Sequence, residues 1–536
     1  MIPLYTAEMA KKIDKTLVED FSLQGIVLME NAGRSVASHV SELMKDKNKN
    51  GKVLICAGPG NNGGDGFVAG RHLLNYGYEV KLITSLPMFE LYKGDALINA
   101  NAFVKMGGNI CFSNELSDLK LEKMIKDADL CIDALLGVGF KGAPQGEIAR
   151  LIEAINKASL VVSIDVPSGV DSSSGRVPGV AVKADVTVTM HLHKIGLYVA
   201  PGCIYAGKVL LADIGVPPML GALTFNANCF LWNEESSIDA LPCRLPDMHK
   251  GDRGSVAVLG GSDLYRGAPL LTSLGALRAG AGVVYMILPE KVYEQTGQFL
   301  PEAIGVPVRS DEYFLTTKAL DAISAIEDKI DVLIVGPGMG RRKETVDLAV
   351  KLWQEYPKNM IYDADGLYAL SLNSAALDRR DNVILTPHEG EAGRLLGCNA
   401  SRVHENRLEA TERLSLKYGP VVLKGFHSII GDGLRYLVCN AGSPALSVPG
   451  SGDVLSGVIG ALYASGLDPV DSAGLAVWLH AKAGENLSCL EGVDGSLARE
   501  IADQVRFVMG DIRYAKEKNR LGRRVGKDGK DTPAWL

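Results

Sequence analysis

Residues 53–67 read VLICAGPGNNGGDGF, a short apolar run that passes directly into a glycine-rich turn and then into a helical pattern. A strand that turns into a helix through glycines is the opening of a βαβ unit, and such units build parallel sheets covered by helices on both faces. The same rhythm continues downstream. FVAGRHLLNYG at 67–77 is helical, VKLITSL at 80–86 is β-rich, and a helical stretch follows to Met106. DLCIDALLG at 129–137 and LVVSIDV at 160–166 bracket a helix-like segment at 147–158, while VTVTMHL and VLLADIG add strands with no obvious helix between them. This half predicts an α/β fold with one doubly wound parallel sheet.

A second alternating series opens with SVAVLGGS at 255–262 and runs through VVYMILP, DVLIVGPG, NMIYDADG, NVILTP and VVLKG. At 536 residues the chain is too long for one ordinary core, and its 47% hydrophobic content can fill two. The polar, Pro-containing stretch from Asn233 to Asp252 reads as the linker, which gives domains at 1–232 and 233–510. Residues 511–536 are rich in Lys, Arg, Gly and Asp and are expected to form a frayed polar tail. HSIIGDGLRYLVCN at 427–440 places Asp432-Gly433 between two β-like runs and predicts a tight hairpin.

The net charge of -7 argues against a broad footprint for nucleic acid or an anionic membrane, so any phosphate must be held by local features. Nine cysteines are scattered singly, with no C-x-x-C pair, and are expected to be small buried thiols in a reducing compartment. The start lacks the basic-then-apolar order of a secretory signal, and no apolar run approaches the roughly 20 residues that span a bilayer. A cytoplasmic protein without membrane or nucleic-acid partners, assembled as a homo-oligomer, is the expectation.

In the first half, GPGNNGGDGF at 58–67 is a candidate phosphate cradle, since glycines let the backbone approach a ligand and amides at a helix start point at an anion. Asn61, Asn62 and Asp65 add polar groups that a plain turn does not need. Asp133 and Asp165 close two further strand patterns, and strand ends of one open sheet converge on one crevice. GVGFKGAP at 137–144 supplies a second glycine loop beside Asp133.

NNGGDGF, DALLGVGFKG and SIDVPSGVDSSSG, followed by VKADVTVTMHLHKIG, together resemble the N-terminal domain of the bifunctional NAD(P)H-hydrate repair enzymes over residues 1–215. The resemblance implies a Rossmann-like epimerase that interconverts the R and S hydrates of the nicotinamide ring. It implies substrate contacts from Asn61, Asn62, Gly63, Gly64 and Asp65 and from Gly137, Val138, Gly139, Phe140, Lys141, Gly142 and Ala143. Asp165 would be the acid/base residue, and Asn62, Asp133 and Ser168 would hold K+. Where the family commonly has an aromatic-Gly pair, this chain has His191-Leu192-His193 before Lys194.

In the second half, GPGMG at 336–340, TPHEGE at 386–391 and LKGFHS at 423–428 each lie just beyond a strand pattern. VPGSGDVLSGVIGALYASG at 448–466 runs a glycine loop into an apolar helix with Asp453 in its first turn. Amides of residues 450–453 would form an anion hole for a phosphoryl group, and Asp453 would take a proton from a substrate hydroxyl. A G-S-G-D of this kind resembles ribokinase-like small-molecule kinases. The full ordered set, from HKGDRGSVAVLGGS to GSGDVLSG, is similar to the ADP- or ATP-dependent NAD(P)H-hydrate dehydratase domain over residues 240–510.

That resemblance implies hydrate contacts from Gly338, His388 and Asp453, and adenine-nucleotide contacts from Lys424, Gly425, Phe426, His427 and Ser428 and from the loop carrying Ser443, Gly450, Ser451 and Gly452. ADP or ATP with Mg2+ would be the phosphoryl donor. Glu389 stands where the family often has Pro, a departure expected to alter loop stiffness more than chemistry. The alternatives are a vitamin or sugar kinase fused to a Rossmann-like accessory domain, a non-catalytic reading in which the first domain is an RNA-associated or scaffold module, and a dehydrogenase. The last is disfavoured because G-P-G-N-N-G-G-D puts polar side chains where a dinucleotide fingerprint needs helix packing.

Overall fold

A computed structural model describes residues 1–45, 51–216, 220 and 227–528. It divides the chain into two compact units, Pro3–Cys229 and Phe230–Leu536, the latter together with Met1–Ile2. The division falls a few residues before the Asn233–Asp252 stretch read as a linker. Asn233 instead caps the helix Glu234–Ala240, and Trp232 beside it is buried in the core of the second unit.

In the N-terminal unit the strands are β1 (Lys52–Ala57), β2 (Glu79–Thr84), β3 (Asn109–Phe112), β4 (Leu130–Ala134), β5 (Val161–Ile164), β6 (Val186–Met190) and β7 (Lys208–Ala212). They lie in the order β3-β2-β1-β4-β5-β6-β7, all parallel, so the order reverses between β1 and β4. Ligands of such sheets bind at that reversal, beyond the carboxyl ends of the strands. The central strand β4 is buried along its whole length, as expected for a strand covered on both faces. β6 and β7 are joined by the helix Gly202–Ala206, five residues long and too short to show a helical period in the sequence.

The first 45 residues, read from the sequence only for the lack of a signal, form the helices Ala7–Glu19 and Gly25–Leu43. Thr6 caps the first by accepting from the Met9 amide, and Ala10, Ile13 and Leu17 make its buried stripe.

The C-terminal unit holds β8 (Cys229–Trp232), β9 (Ser255–Leu259), β10 (Val283–Pro289), β11 (Ile304–Val308), β12 (Val332–Val335), β13 (Asn359–Tyr362), β14 (Val383–Leu385), β15 (Val421–Leu423), β16 (Ile429–Gly431) and β17 (Tyr436–Cys439). Their order is β8-β17-β16-β15-β14-β13-β12-β9-β10-β11. β9 to β15 are parallel, while β16 pairs antiparallel with β15 and with β17. The β16–β17 pair is the hairpin expected at Asp432-Gly433, with Gly433 at φ +90.

The expected tail is different. The helix Ala498–Asp528 runs through it as far as the described residues go, because Ile512 is buried and Arg513 and Lys516 donate to the carbonyls of Pro242 and Leu241. Residues 529–536 of that tail lie outside the described residues. Of the cysteines expected to be buried, Cys243, in the loop after the helix Glu234–Ala240, and Cys489, in the last turn of the helix Pro469–Glu491, are exposed. Among the described residues no helix is long and apolar enough to cross a membrane.

Candidate functional site

In the N-terminal unit the helix Asn61–Asn75 starts directly after β1, with Gly60 at its cap and no side chain bonded to its first amides. Those donors remain available to an anion. Glycine is required at Gly58, where a Cβ would lie 1.8 Å from the Leu135 carbonyl oxygen. That contact lets the β1 turn and the loop after β4 press together and form one crevice.

A cavity of about 760 Å³ opens there. Among the expected substrate contacts, Asn61, Asn62, Asp65, Gly137, Val138, Gly139, Phe140 and Asp165 line it. Gly63 and Gly64 do not; they pack against the Gly58 carbonyl and the Met29 thioether. Lys141 is at the surface beside Glu8, and Ala143 packs near Gly179.

Asp165 ends β5 with φ +65 and is buried. Its Oδ1 accepts from Lys194 Nζ at 2.6 Å, from the Met190 amide at 3.1 Å and from Thr189 Oγ1 at 3.3 Å. Lys194 is itself 3% exposed and donates further to the Met190 carbonyl, so the pair is a fixed and compensated ion pair. The His-Leu-His departure precedes this lysine. His191 takes φ +55, and His193 Nδ1 meets the Tyr198 hydroxyl at 2.6 Å. Burial, helped by the Lys194 charge, lowers the His193 pKa to about 4 and keeps that imidazole neutral.

Two further carboxyls face the same cavity. Burial first, then the charges of Asp165 and Asp14, push the Asp65 carboxyl well above its ordinary range. Asp14, on the helix Ala7–Glu19, is raised mainly by burial and lowered in part by Lys194. Asp14 and Lys11 line the cavity and were missed from the sequence, where only the polar positions within the helical period of residues 7–19 would have marked them.

Asp133 is fully buried and accepts from the Leu135 amide, from Ser163 Oγ and from both the amide and Oγ of Ser168. Asn62 Nδ2 donates to the Leu136 carbonyl at 2.9 Å, and Ser168 Oγ approaches that carbonyl at 3.4 Å. Asn62, Asp133, Ser168 and Leu136 therefore form one knot of hard oxygen donors, a set whose chemistry fits an alkali or alkaline-earth cation. Among the described residues no group of three or more His, Cys, Asp and Glu offers a site for a softer metal.

In the C-terminal unit β12 ends at Gly336, which has φ +126 and where a Cβ would meet the Asp363 carbonyl oxygen at 1.9 Å. Asp363, beyond β13, is 1% exposed and is the centre of the cleft. It accepts from Lys424 Nζ at 2.9 Å, Thr386 Oγ1 at 2.7 Å and Ser456 Oγ at 2.6 Å. Burial alone would raise its pKa, but the Lys424 charge and these bonds outweigh it and hold the carboxyl below its ordinary value. Asp363 lies within the DADGL motif of the sequence, yet no role was assigned to it there.

Asp453 stands in the first turn of the helix Ser451–Ala464, whose cap Gly450 has φ +87 and leaves the first amides uncapped by a side chain. Burial, with the Asp363 charge second, raises the Asp453 pKa to about 7. An ideal Cβ on Gly452 would lie 3.3 Å from Lys424 Nζ, so the lysine sits against the same glycine turn. His388 caps the helix Glu389–Leu396: its Nδ1 accepts from the Gly390 amide, and the Glu391 carboxylate accepts from the His388 amide.

A cavity of about 620 Å³ adjoins this cleft. His388, Lys424, Gly425, Phe426, Ser428, Ser443, Ser451 and Gly452 line it. His427, Gly450, Gly338 and Asp453 do not. His427 stacks on Phe426 with ring centroids 4.4 Å apart, and Gly450 packs against Leu271. Gly338 abuts the Tyr265 carbonyl. His480, absent from the sequence reading, lies beneath the turn with Nε2 3.0 Å from the Ser451 carbonyl oxygen and 3.1 Å from its hydroxyl. Glu389 does more than stiffen its loop: its carboxylate pairs with Arg407 and His404.

Residues 25–196 match the family model described as YjeF-related protein N-terminus, and residues 256–506 match the model described as NAD(P)H-hydrate dehydratase. The bifunctional NAD(P)H-hydrate repair enzyme of Thermanaerovibrio acidaminovorans is 39% identical over 95% of this chain and 99% of its own length. That of Moorella thermoacetica is 36% identical over 95% and 97%. A crystal structure of an ADP/ATP-dependent NAD(P)H-hydrate dehydratase from Bacillus subtilis, co-crystallised with ATP and Mg2+, is 26% identical with a TM-score of 0.45, over 54% of this chain and 100% of that one. With both family models matched in order and relatives of this identity along nearly its whole length, the chain belongs to the bifunctional NAD(P)H-hydrate repair enzymes.

Proposed function

We propose that the two cavities divide one repair reaction on hydrated NADH and NADPH: the N-terminal site interconverts the R and S hydrates, and the C-terminal site dehydrates the S hydrate at the expense of ADP or ATP. The observation that carries this reading is Asp453, a carboxyl raised to about 7 at the uncapped start of a helix. A general base works best when its pKa lies near the working pH, and the amides around it suit a transferring phosphoryl group.

Asp453 accepts the proton of the ring hydroxyl as the hydroxyl oxygen attacks the terminal phosphorus of the nucleotide, breaking the bridging P–O bond so that AMP leaves from ADP, or ADP from ATP. The hydroxyl thereby becomes a phosphate ester, a far better leaving group than hydroxide. Loss of phosphate with a ring proton restores the reduced nicotinamide. Lys424 and the amides of residues 450–453 neutralise charge on the transferring group. The cavity lined by Lys424, Gly425, Phe426, Ser428 and Ser443 takes the adenine nucleotide, and His388 bounds the hydrate side. The nucleotide phosphates would carry Mg2+, which would neutralise part of their charge.

In the N-terminal site Asp165 moves the proton, Lys194 holds its Oδ1 in place, and the uncapped amides of the Asn61–Asn75 helix with the glycine loop at 137–139 receive substrate phosphate. Asn62, Asp133, Ser168 and the Leu136 carbonyl would hold K+, which would supply positive charge beside that loop.

The test mixes both NADH hydrate epimers with the protein, Mg2+ and either nucleotide, and follows the return of reduced-nicotinamide absorbance. Recovery of both epimers supports the reading. Recovery of none with folded protein, or a phosphorylated product that is retained, overturns it.

A further inference from the structure

Arg407 is a buried guanidinium that touches neither cavity, yet its bonds run to both of the loops that frame the nucleotide site. Its side chain is 1% exposed at the start of the helix Arg407–Tyr418. One terminal nitrogen, Nη1, donates to the carbonyls of Phe426 and, at 3.3 Å, His427. The other, Nη2, donates to the Leu423 carbonyl at 3.2 Å. Gly425 wraps so closely over the guanidinium that a Cβ there would lie 2.7 Å from Nη2. On its far side Nε faces Glu389 Oε1 at 3.3 Å, and His404 Nδ1 meets the same carboxylate at 3.1 Å.

Glu389 directly follows His388 in the chain, and the Lys424 amide donates to the Pro387 carbonyl at 2.8 Å. The loop at 424–428 and the loop at 387–389 are thus tied twice, once through backbone and once through the Arg407–Glu389 pair. A planar guanidinium bonded to the Leu423 carbonyl at the end of β15 and to two carbonyls of the loop that follows fixes the plane of each peptide it holds, and with it the direction in which the opposite amides and side chains face. His427, at φ +51, is kept in a left-handed conformation within that same loop.

We propose that Arg407 and Glu389 are positioning residues for adenine-nucleotide binding, setting the loop at 424–428 against the loop that carries His388. This rests on the assignment of that cavity to the nucleotide. The pair acts as one unit. Losing either member relaxes the loop and weakens the nucleotide more than it slows the chemistry of nucleotide already bound.

The full-length protein is assayed as Glu389→Pro, Arg407→Lys and the double variant, with the nucleotide and the hydrate varied separately. Proline is well suited to the first position of a helix, and His388 before it has the extended backbone that proline demands, so Glu389→Pro removes the carboxylate while keeping the helix start. Arg407→Lys should raise the nucleotide KM about tenfold, a loss of about 1.4 kcal/mol, and Glu389→Pro should raise it several-fold. In both, kcat and the hydrate KM should stay within about twofold, and the double variant should be no worse than Arg407→Lys alone, as expected for coupled neighbours.

An unchanged nucleotide KM in the folded variants, or a loss confined to kcat and Tm, overturns the proposal. Should Arg407→Lys fail to fold, Glu389→Pro alone decides. Calorimetric titration with ATP and ADP reads the same weakening without turnover. Wild-type protein that binds nucleotide but does not act on the hydrate would sink the functional reading and leave this one standing.

Discussion

Asp165 and Asp453 each stand in the cleft of their own unit, and each has a lysine nearby, Lys194 in the first and Lys424 in the second. In the N-terminal unit Lys194 bonds directly to the aspartate proposed to move the proton. In the C-terminal unit the corresponding charge, Lys424, is taken up by a third carboxyl, Asp363, and Asp453 is left raised to about 7. A carboxylate paired directly with a lysine has its position set by that bond. One whose neighbouring lysine is engaged elsewhere has its affinity for protons set by burial and by the second carboxylate. Aspartate and lysine thus yield a carboxylate whose position is fixed by an ion pair in one unit and, in the other, one whose proton affinity is raised mainly by burial.

The largest effect that sharpens this contrast is expected from Asp453→Ala. It should lower the dehydration rate by on the order of 10³-fold, within the usual contribution of a general base, while R/S interconversion followed by chromatography stays unchanged. Asp165→Asn should do the reverse, slowing epimerisation by about 10²-fold or more and leaving dehydration of the S hydrate intact. Lys194→Met should approach the same loss. It also strands Asp165 as an uncompensated buried charge, at about 3 kcal/mol of stability measured by denaturant unfolding. Epimerisation at the wild-type rate in Lys194→Met would break the comparison outright.

Lys424→Met should destabilise the C-terminal unit by about 3 kcal/mol, because Asp363 is then buried without its cation. The sign of the related pH effect follows from Asp363 being held below its ordinary value: its contribution is present above the unfolded-state pKa and is lost as acid carries the pH down through the folded-state value. Thermal unfolding should accordingly show Lys424→Met losing less than the wild type on acidification below about pH 4.

The smallest effect is a shift of profile. Dehydration needs Asp453 ionised, so its rate should rise with pH through about 7. Asp363→Asn removes the charge that raises Asp453 second only to burial and should move that limb downward. A limb that does not move would show that burial alone sets the Asp453 pKa.

Much of this architecture was legible in the chain. VLICAG passing into GPGNNGGDGF marked both β1 and the helix behind it, because strand and helix periods are local and glycines flag the turn. The Asp432-Gly433 hairpin was legible for the same reason. The helix Gly202–Ala206 was not, since five residues give no period, and neither was the helix that continues through residues 511–528, because its sequence is dominated by Lys, Arg and Asp, with Ile512 buried in the core. Asp165 and Asp453 could be named from motif and position. Asp14 and Asp363 could not, because nothing near either in sequence shows that a residue far along the chain will stand against it.

Sequence by itself determined the parallel strand order of one sheet and most of the other, the strand ends at which chemistry can gather and the membership of the family, all of which depend on order and period along the chain. Tertiary structure decided how charge is shared: which lysine meets which carboxylate, that Glu389 meets Arg407, and which glycines face a cavity and which face a neighbour's backbone. The reason is physical. Secondary structure is set by interactions within a few residues, whereas a buried charge is governed by whatever the fold brings within a few ångströms of it, and that distance bears no relation to separation in sequence.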